Sequence, residues 1–401
     1  MADPTAGTTS YDGTEFVLTD EQEAVRDLAR TFADRTFDES SVRGLLDDPR
    51  GFDPAAWRAL GRDLGVLGLA LPTTVGGDAE DGRGHVELAL LAEELGRVLA
   101  GVPLLGSVAL AGTALARCGD DAAAAELLAG VLAGEQVLAL AATDAAGRWA
   151  PEDTGVSLRE GSDGAVLDGT VSHVVDGAAA DTVLVVAQSG DGPRLVAVAA
   201  GTSPADGLVV EPLTTLDQTR RLARLTFSGT PGRVVGDAGS TLDAVAAARD
   251  AGALVLAAGA VGASAHLLAT SVEYARTRLQ FGRAIGSYQG VKHRCADMHV
   301  RVEESRSAAY HAAWTLDGAT DDDVRTAVDL ATVVTGEAFP QVAKDTVQVH
   351  GGIGFTWEHA THLYYKRAVG DAALLGGPAA ASERLAASWL DATVASPAVG
   401  A

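Results

Sequence analysis

The order of hydrophobic periodicities along the chain predicts an α+β multi-domain protein. Its parts are a helical N-terminal domain, a middle β-domain and a C-terminal four-helix bundle. Three observations carry that prediction. Apolar residues in the first third recur at helical spacing; around 136–235 they fall in short Val-rich runs; beyond 236, four segments are each long enough to cross a bundle. A chain of 401 residues also exceeds one comfortable core, so two or three units are expected. The divisions fall at 18–135, 136–235 and 236–397.

Thr19 followed by Gln22 reads as a capping box opening a helix to about Asp34, with Val25, Leu28, Ala29 and Phe32 on one face. Trp57, Leu60, Leu64 and Leu67 repeat the pattern until 69–72 breaks it at Pro72. Gly76, Gly77 and Gly82 make a loop, 86–99 is strongly helical, and 108–132 reads as a further helical pair. The runs 137–141, 164–171, 181–187, 194–200, 208–212 and 223–227 then suggest a compact β-barrel or sandwich. Pro231, Gly232 and the glycines of 236–239 punctuate the return to helix. Helices are expected over 250–278, 289–317, 321–349 and 379–392. Few soluble folds place a β-domain between two helical ones.

Composition excludes several partners. The net charge of −24 argues against nucleic acid and anionic membrane, and a polyanion such as a CoA ester needs a local basic pocket. Residues 1–11 show neither a basic flank nor an apolar core for export, and the most apolar run, 251–261, is too short to span a bilayer. A cytoplasmic protein is expected. Cys118 and Cys295 match no metal or redox spacing and read as two reduced, buried thiols.

Two stretches carry chemistry. In 274–289 a long helix ends at Arg276, Arg278 and Arg283, is broken by Gly282 and Gly286, and gives way to a new helix. Guanidinium forks here suit a diphosphate, and Phe281 is placed to pack on a nucleotide or flavin edge. The alternative is a helix C-terminus whose arginines complement the dipole. In 347–358, Gly351, Gly352 and Gly354 let backbone N–H groups approach a ligand. A helix precedes them without dinucleotide-fingerprint spacing, and a plain Gly-rich turn is the alternative.

Arg278-Leu-Gln-Phe281-Gly282 with Gln289, followed by Gln348-Val-His-Gly351-Gly352-Ile-Gly354-Phe355, resembles the acyl-CoA dehydrogenase family over about residues 18–395. The resemblance implies a helical domain, a middle β-barrel domain and a four-helix bundle, with FAD bound in tetramers built from dimers. It also implies that Arg278 and Phe281 contact the diphosphate and adenine side of FAD across a dimer interface. Gln289 would belong to the same environment, and Gln348, Gly351 and Gly352 would cradle the adenosine diphosphate half.

In that family a glutamate abstracts the α-proton of an acyl-CoA while FAD takes the β-hydride. The residue matching the usual base is Leu375, and the residue matching the alternative seat on the first long bundle helix is Gly252. Neither can accept a proton. The family's loop over the flavin is replaced by 142–148, and its Trp-bearing strand against the flavin ring by 173–176, which begins with His173. The chain thus resembles the glutamate-lacking subunit of bacterial heterotetrameric acyl-CoA dehydrogenases, as in steroid side-chain degradation, which implies a second, glutamate-bearing subunit. Flavin-dependent monooxygenases on the same fold, or a non-catalytic scaffold, are the alternatives. Asp371 and Asp250 read as solvated helix-surface carboxylates rather than relocated bases. His350 reads as structural, His359 and His362 on a helix lack a third metal ligand, and Arg301, Glu303, Glu304 and Arg306 read as a solvated face with local ion pairs. No metal site is expected.

Overall fold

The computed structural model describes residues 17–395 apart from 81–82, 162–163 and 319–320. The stretch 1–11 read for an export signal, Gly82 of the expected loop and 396–397 of the expected bundle lie outside the described residues.

Helix α1 (Asp20–Thr36) opens on the expected capping box: Gln22 N–H donates to Thr19 Oγ1 at 3.2 Å, and Thr19 N–H to Gln22 Oε1 at 3.1 Å. Its buried positions are Ala29 and Ala33, whereas Leu28 is 39% exposed, so the packed face is rotated from the expected one. Next come α2 (Glu39–Leu45), α3 (Pro54–Arg58) leading into the π-helical turn Ala59–Asp63, and α4 (His85–Arg97). A π-helical segment (Leu104–Gly112), α5 (Thr113–Ala116) and α6 (Asp121–Leu132) complete the first helical region. Arg30 on α1 reaches Glu94 on α4 at 2.6 Å and fixes how the two helices face each other.

Seven strands follow: β1 (Leu138–Ala141), β2 (Ser157–Gly161), β3 (Gly164–Val175), β4 (Thr182–Ser189), β5 (Gly192–Ala199), β6 (Leu208–Pro212) and β7 (Leu222–Val235). Pairing runs β4-β2-β3-β7-β5 and returns from β5 to β4, so the ring closes and the domain is a barrel, not a sandwich. β1 lies parallel beside β4, and β6 adds to β7. Two expectations need correction. β7 does not stop at Phe227; it continues through Pro231 and Gly232 because Val234 and Val235 pair with Val196 and Leu195 to close the ring. Gly232 is needed there, since a Cβ would stand 2.5 Å from Val196 Cγ1. β2 was not expected at all, its sequence Ser-Leu-Arg-Glu-Gly offering Leu158 as the one apolar side chain.

The C-terminal region holds α7 (Thr241–Thr277), a short hairpin of β8 (Leu279–Gln280) and β9 (Arg283–Ala284), then α8 (Gln289–Leu316), α9 (Asp321–His350), α10 (Thr361–Asp371) and α11 (Gly377–Ala395). α7 begins at Thr241 rather than near 250, and it is long and apolar enough to cross a membrane. Its apolar window is 72% buried inside the fold, as befits a core helix. Small residues make that possible: a Cβ at Gly262 would lie 1.9 Å from Glu93 O, so only glycine lets α7 approach α4 this closely. Asp317, just beyond α8, accepts from His85 and Val86 N–H at 2.9 and 3.2 Å and caps α4 from the far end of the chain. Both cysteines are free thiols; Cys118 is buried as expected, whereas Cys295 is only half-buried.

Candidate cofactor site

The two chemistry-bearing stretches meet at one end of the bundle. α7 ends where Arg278 N–H donates to Tyr274 O at 2.9 Å, and the Tyr274 ring stacks on His350, the last residue of α9, with centroids 4.5 Å apart. Ser271 Oγ donates to Thr346 Oγ1 at 3.2 Å, and Arg294 pairs with Asp345, so α7, α8 and α9 share this end. Every residue read as nucleotide-facing is here and exposed: Arg278, Phe281, Gln289, Gln348, Gly351 and Gly352. Arg278 forms no ion pair among the described residues. Phe281 is 92% exposed at φ 51°, a conformation costly for a bulky L-residue, at the tip of the hairpin. Arg283 lies over the Tyr288 ring, 4.0 Å from its centroid, which stiffens the hairpin.

Beyond α9 the chain makes a 3₁₀ turn, Gly351–Phe355, with Gly351 at φ 66°. A Cβ built at Gly351 or Gly352 would meet nothing within 4 Å beyond its neighbours along the chain, so the side-chain direction at both opens to free space. Phe355 and Trp357 beside them are 82% and 60% exposed. An uncommitted guanidinium, unobstructed glycine backbone and exposed rings suit the diphosphate and adenine of a dinucleotide. The exposed rings leave that surface incomplete in a single chain.

The seam between barrel and bundle is different. Arg220, preceding β7, donates to Asp371 at the end of α10 at 2.8 Å, and Arg367 donates to Asp217 Oδ2 at 2.9 Å and to Thr219 O at 2.8 Å. Asp176, at the end of β3 with φ 57°, accepts from Gly106 N–H at 3.2 Å; burial pushes its carboxyl up to about 6 despite Arg220 and Arg367 nearby. Two cavities of about 40 and 50 Å³ remain, both lined in part by Phe339 and Asp371. Ligand pockets typically run to about 300–1,000 Å³, so both gaps are small beside them.

The loop expected over a flavin folds onto itself. Asp144 accepts from Ala146 and Arg148 N–H, each at 2.9 Å, and those bonds with the Arg148 guanidinium hold its carboxyl below the usual range. His173 lies over Gly147, where a Cβ would stand 1.9 Å from Nδ1. These bonds shape the loop, while Ala145, Ala146, Arg148 and His173 stay exposed and Asp144, Arg148 and Trp149 line an open cleft of about 670 Å³.

Leu375 and Gly252 converge on one point: a Cβ at Gly252 would sit 3.1 Å from Leu375 Cδ1 and 2.6 Å from Leu110 Cδ2. The two seats are thus a single apolar spot, closed by Leu110, which the sequence did not single out. Leu375 holds φ 54° in a turn continued by Gly376 and Gly377, a left-handed conformation costing a leucine about 1–2 kcal/mol.

Several readings change. Asp371 and Asp250 are not solvated: their side chains are 11% and 7% exposed, paired with Arg220 and with Arg249 at 2.5 Å. Burial raises the Asp250 carboxyl, with Arg249 opposing. Sequence spacing missed this because their arginine partners become neighbours only through tertiary packing or side-chain rotation. Arg306 pairs with Glu303 as read, but also reaches Glu93 on α4 at 3.5 Å. His359 precedes α10 rather than lying on it, and no group of three metal-ligating side chains occurs among the described residues. His350 is buried, its Nδ1 bonded to Thr346 O at 2.9 Å, as a structural role requires.

Residues 19–135 match the acyl-CoA dehydrogenase N-terminal domain family and 242–389 the acyl-CoA dehydrogenase C-terminal domain family. The acyl-CoA dehydrogenase IpdE2 of Mycolicibacterium smegmatis is 32% identical over 370 residues, covering 92% of this chain and 99% of the relative. The chain belongs to the acyl-CoA dehydrogenase family. Acyl-CoA dehydrogenases are oxidoreductases, and the helical, barrel and bundle order is theirs. Solved relatives include the ChsE4-ChsE5 complex from Mycobacterium tuberculosis, with a TM-score of 0.82, 30% identity and coverage of 96% of this chain and 100% of that one. A Tcur3481-Tcur3483 steroid ACAD variant gives a TM-score of 0.81 and 29% identity over 94% of this chain and 99% of that one. Each of these neighbours is named by two components.

Proposed function

We propose that this chain is the base-lacking subunit of a heteromeric acyl-CoA dehydrogenase, lending nucleotide contacts to FAD while a glutamate-bearing partner performs the α,β-dehydrogenation. The observation that carries this reading is the merged base seat: Leu375, Gly252 and Leu110 meet with no proton acceptor among them, and a side chain at Gly252 would collide with Leu110. The named pairs among the structural neighbours support a second family chain as partner, and the steroid relative supports a bulky acyl-CoA thioester as the substrate of the complex.

When bound, FAD supplies the acceptor for the substrate's β-hydride. This chain's share is to hold the far end of that cofactor. Arg278 would neutralise the diphosphate with a forked guanidinium, Phe281 would pack on the adenine side, and Gln289 would line the same pocket. Gln348 and the open backbone at Gly351 and Gly352 would cradle the adenosine half. Because these groups face outward, away from this chain's own closed seam, the flavin ring would lie against the partner.

The test is to purify the chain with and without a glutamate-bearing family chain co-expressed from the same genome and to measure bound flavin. Little FAD on the isolated chain and stoichiometric FAD in the hetero-complex is expected. Full occupancy with substrate-dependent bleaching of the lone protein would overturn the division of labour.

A further inference from the structure

His350 ends α9 and directly precedes the glycine turn, with 4% of its surface exposed. Its Nδ1 lies 2.9 Å from Thr346 O. A carbonyl can only accept, so Nδ1 carries the proton and neutral His350 leaves Nε2 bare. That Nε2 is buried and has no partner. One ring face stacks on Tyr274 of α7 at 4.5 Å, and the His359 ring, from the far side of the turn, lies 4.5 Å away at 52°. Three segments are therefore clasped around one imidazole: the α7 end that carries Arg278, the α9 end that carries Gln348, and the chain leaving the glycine turn.

We infer that His350 is a positioning residue for the glycine turn and holds it only as a neutral imidazole. A second proton would have to enter on Nε2, creating a charged N–H with no acceptor in a buried stack. Among the described residues no carboxylate bonds Nε2 to compensate it. The groups facing the ring are Tyr274 from α7, His359 from beyond the turn and Thr346 from its own helix. His359 is faced in turn by Glu39 and Arg43 of α2 and bonds Thr361 Oγ1 at 2.5 Å. Nearby, His266 of α7 stacks on Tyr364 and feels Arg97, and His362 sits edge-on to Trp357 near Lys366.

Burial holds His350 below the ordinary histidine range, and His359 is lowered by burial and by His350 itself. A depressed folded value gives a definite sign. The clasp is intact above the ordinary value and is lost as pH falls through the depressed one, when the turn opens to let His350 charge in water. This deepens the proposed function and rests on it only for the ligand: the turn that opens is the one assigned to the adenosine half of FAD.

The experiment follows backbone hydrogen exchange of 351–357 in the full chain between pH 8 and 5, corrected for the intrinsic rate, with and without the partner and FAD. Acidification is expected to deprotect the turn several-fold in the native protein while the α7 core stays protected. His350→Asn keeps an N–H for Thr346 O and cannot titrate, so its turn should hold a flat protection profile. His359→Gln, outside the buried position, removes the second proton site and should shift the transition without abolishing it. A native profile that is flat, or a His350→Asn profile as steep as the native one, overturns the inference. If the turn responds to pH but FAD adds no protection to it in the complex, the clasp stands and the nucleotide assignment falls.

Discussion

The end of the bundle proposed to take the nucleotide and the seam between barrel and bundle are built from different chemistry. At the first, Arg278, Phe281, Gln348 and two glycines stand exposed, their donors uncommitted or their backbone unobstructed. At the second, Arg220 and Arg367 are each tied to an aspartate, His173 lies over Gly147, and Leu375 meets Leu110 across Gly252. Groups left open toward solvent retain capacity for a ligand. Groups that have satisfied one another inside the protein do not. At the seam the charged groups are paired with one another, whereas Arg278, Phe281, Gln348 and the two glycines still face outward.

The sharpest way to break that comparison is to open the seam. Arg367→Ala leaves Asp217 buried with only Thr219 for company, and losing one partner of a buried pair costs about 3–5 kcal/mol. Chemical denaturation should register it as a large fall in midpoint. A loss below 1 kcal/mol would mean the seam is solvated and could admit a ligand.

Leu375→Glu probes the same region at the base seat. An acid in this apolar spot loses leucine packing and solvation together, about 2–4 kcal/mol of stability. In a complex whose partner glutamate has been removed, it should give no acyl-CoA-dependent flavin reduction. Clear reduction in that background would place a usable pocket in this chain.

At the open end, Arg278→Ala should leave the unfolding midpoint unchanged and weaken flavin retention in the complex by about 1.5–3 kcal/mol, more at low salt than at high. Unaltered retention would return Arg278 to a helix-terminus role.

Asp176 provides a smaller and signed effect. Its folded value of about 6 lies above that of an unfolded aspartate, so the folded state binds the extra proton. Stability is fully present below the unfolded value, declines as pH rises through about 6, and is flat above. Asp176→Asn keeps an acceptor for Gly106 N–H, should remove that decline and should stabilise the protein at pH 7.5 by about 1–2 kcal/mol. The smallest change is far from both regions: Thr19→Ala removes the capping box of α1 and should cost about 1 kcal/mol without touching flavin.

The sequence by itself determined the order of helical region, barrel and bundle, because periodicity is written locally. Thr19 and Gln22 are three residues apart, and the long helices carry their own repeats. The residues proposed for the nucleotide were legible for the same reason: Arg278 to Gln289 and Gln348 to Phe355 are contiguous motifs, and the structure brings them to one end of the bundle. The sequence also determined that Leu375 and Gly252 bear no base. Only the tertiary structure decided that those two positions are one place, that Leu110 closes it, and that Asp371 and Asp250 are paired rather than solvated. It alone made β2 a strand and carried β7 past Pro231, since closing a ring of strands sets their ends by partners far away in sequence. The partners of the seam lie about 150 residues apart, at Arg220 and Asp371 or Asp217 and Arg367. No local pattern spans that distance, because burial and pairing are properties of the packed chain.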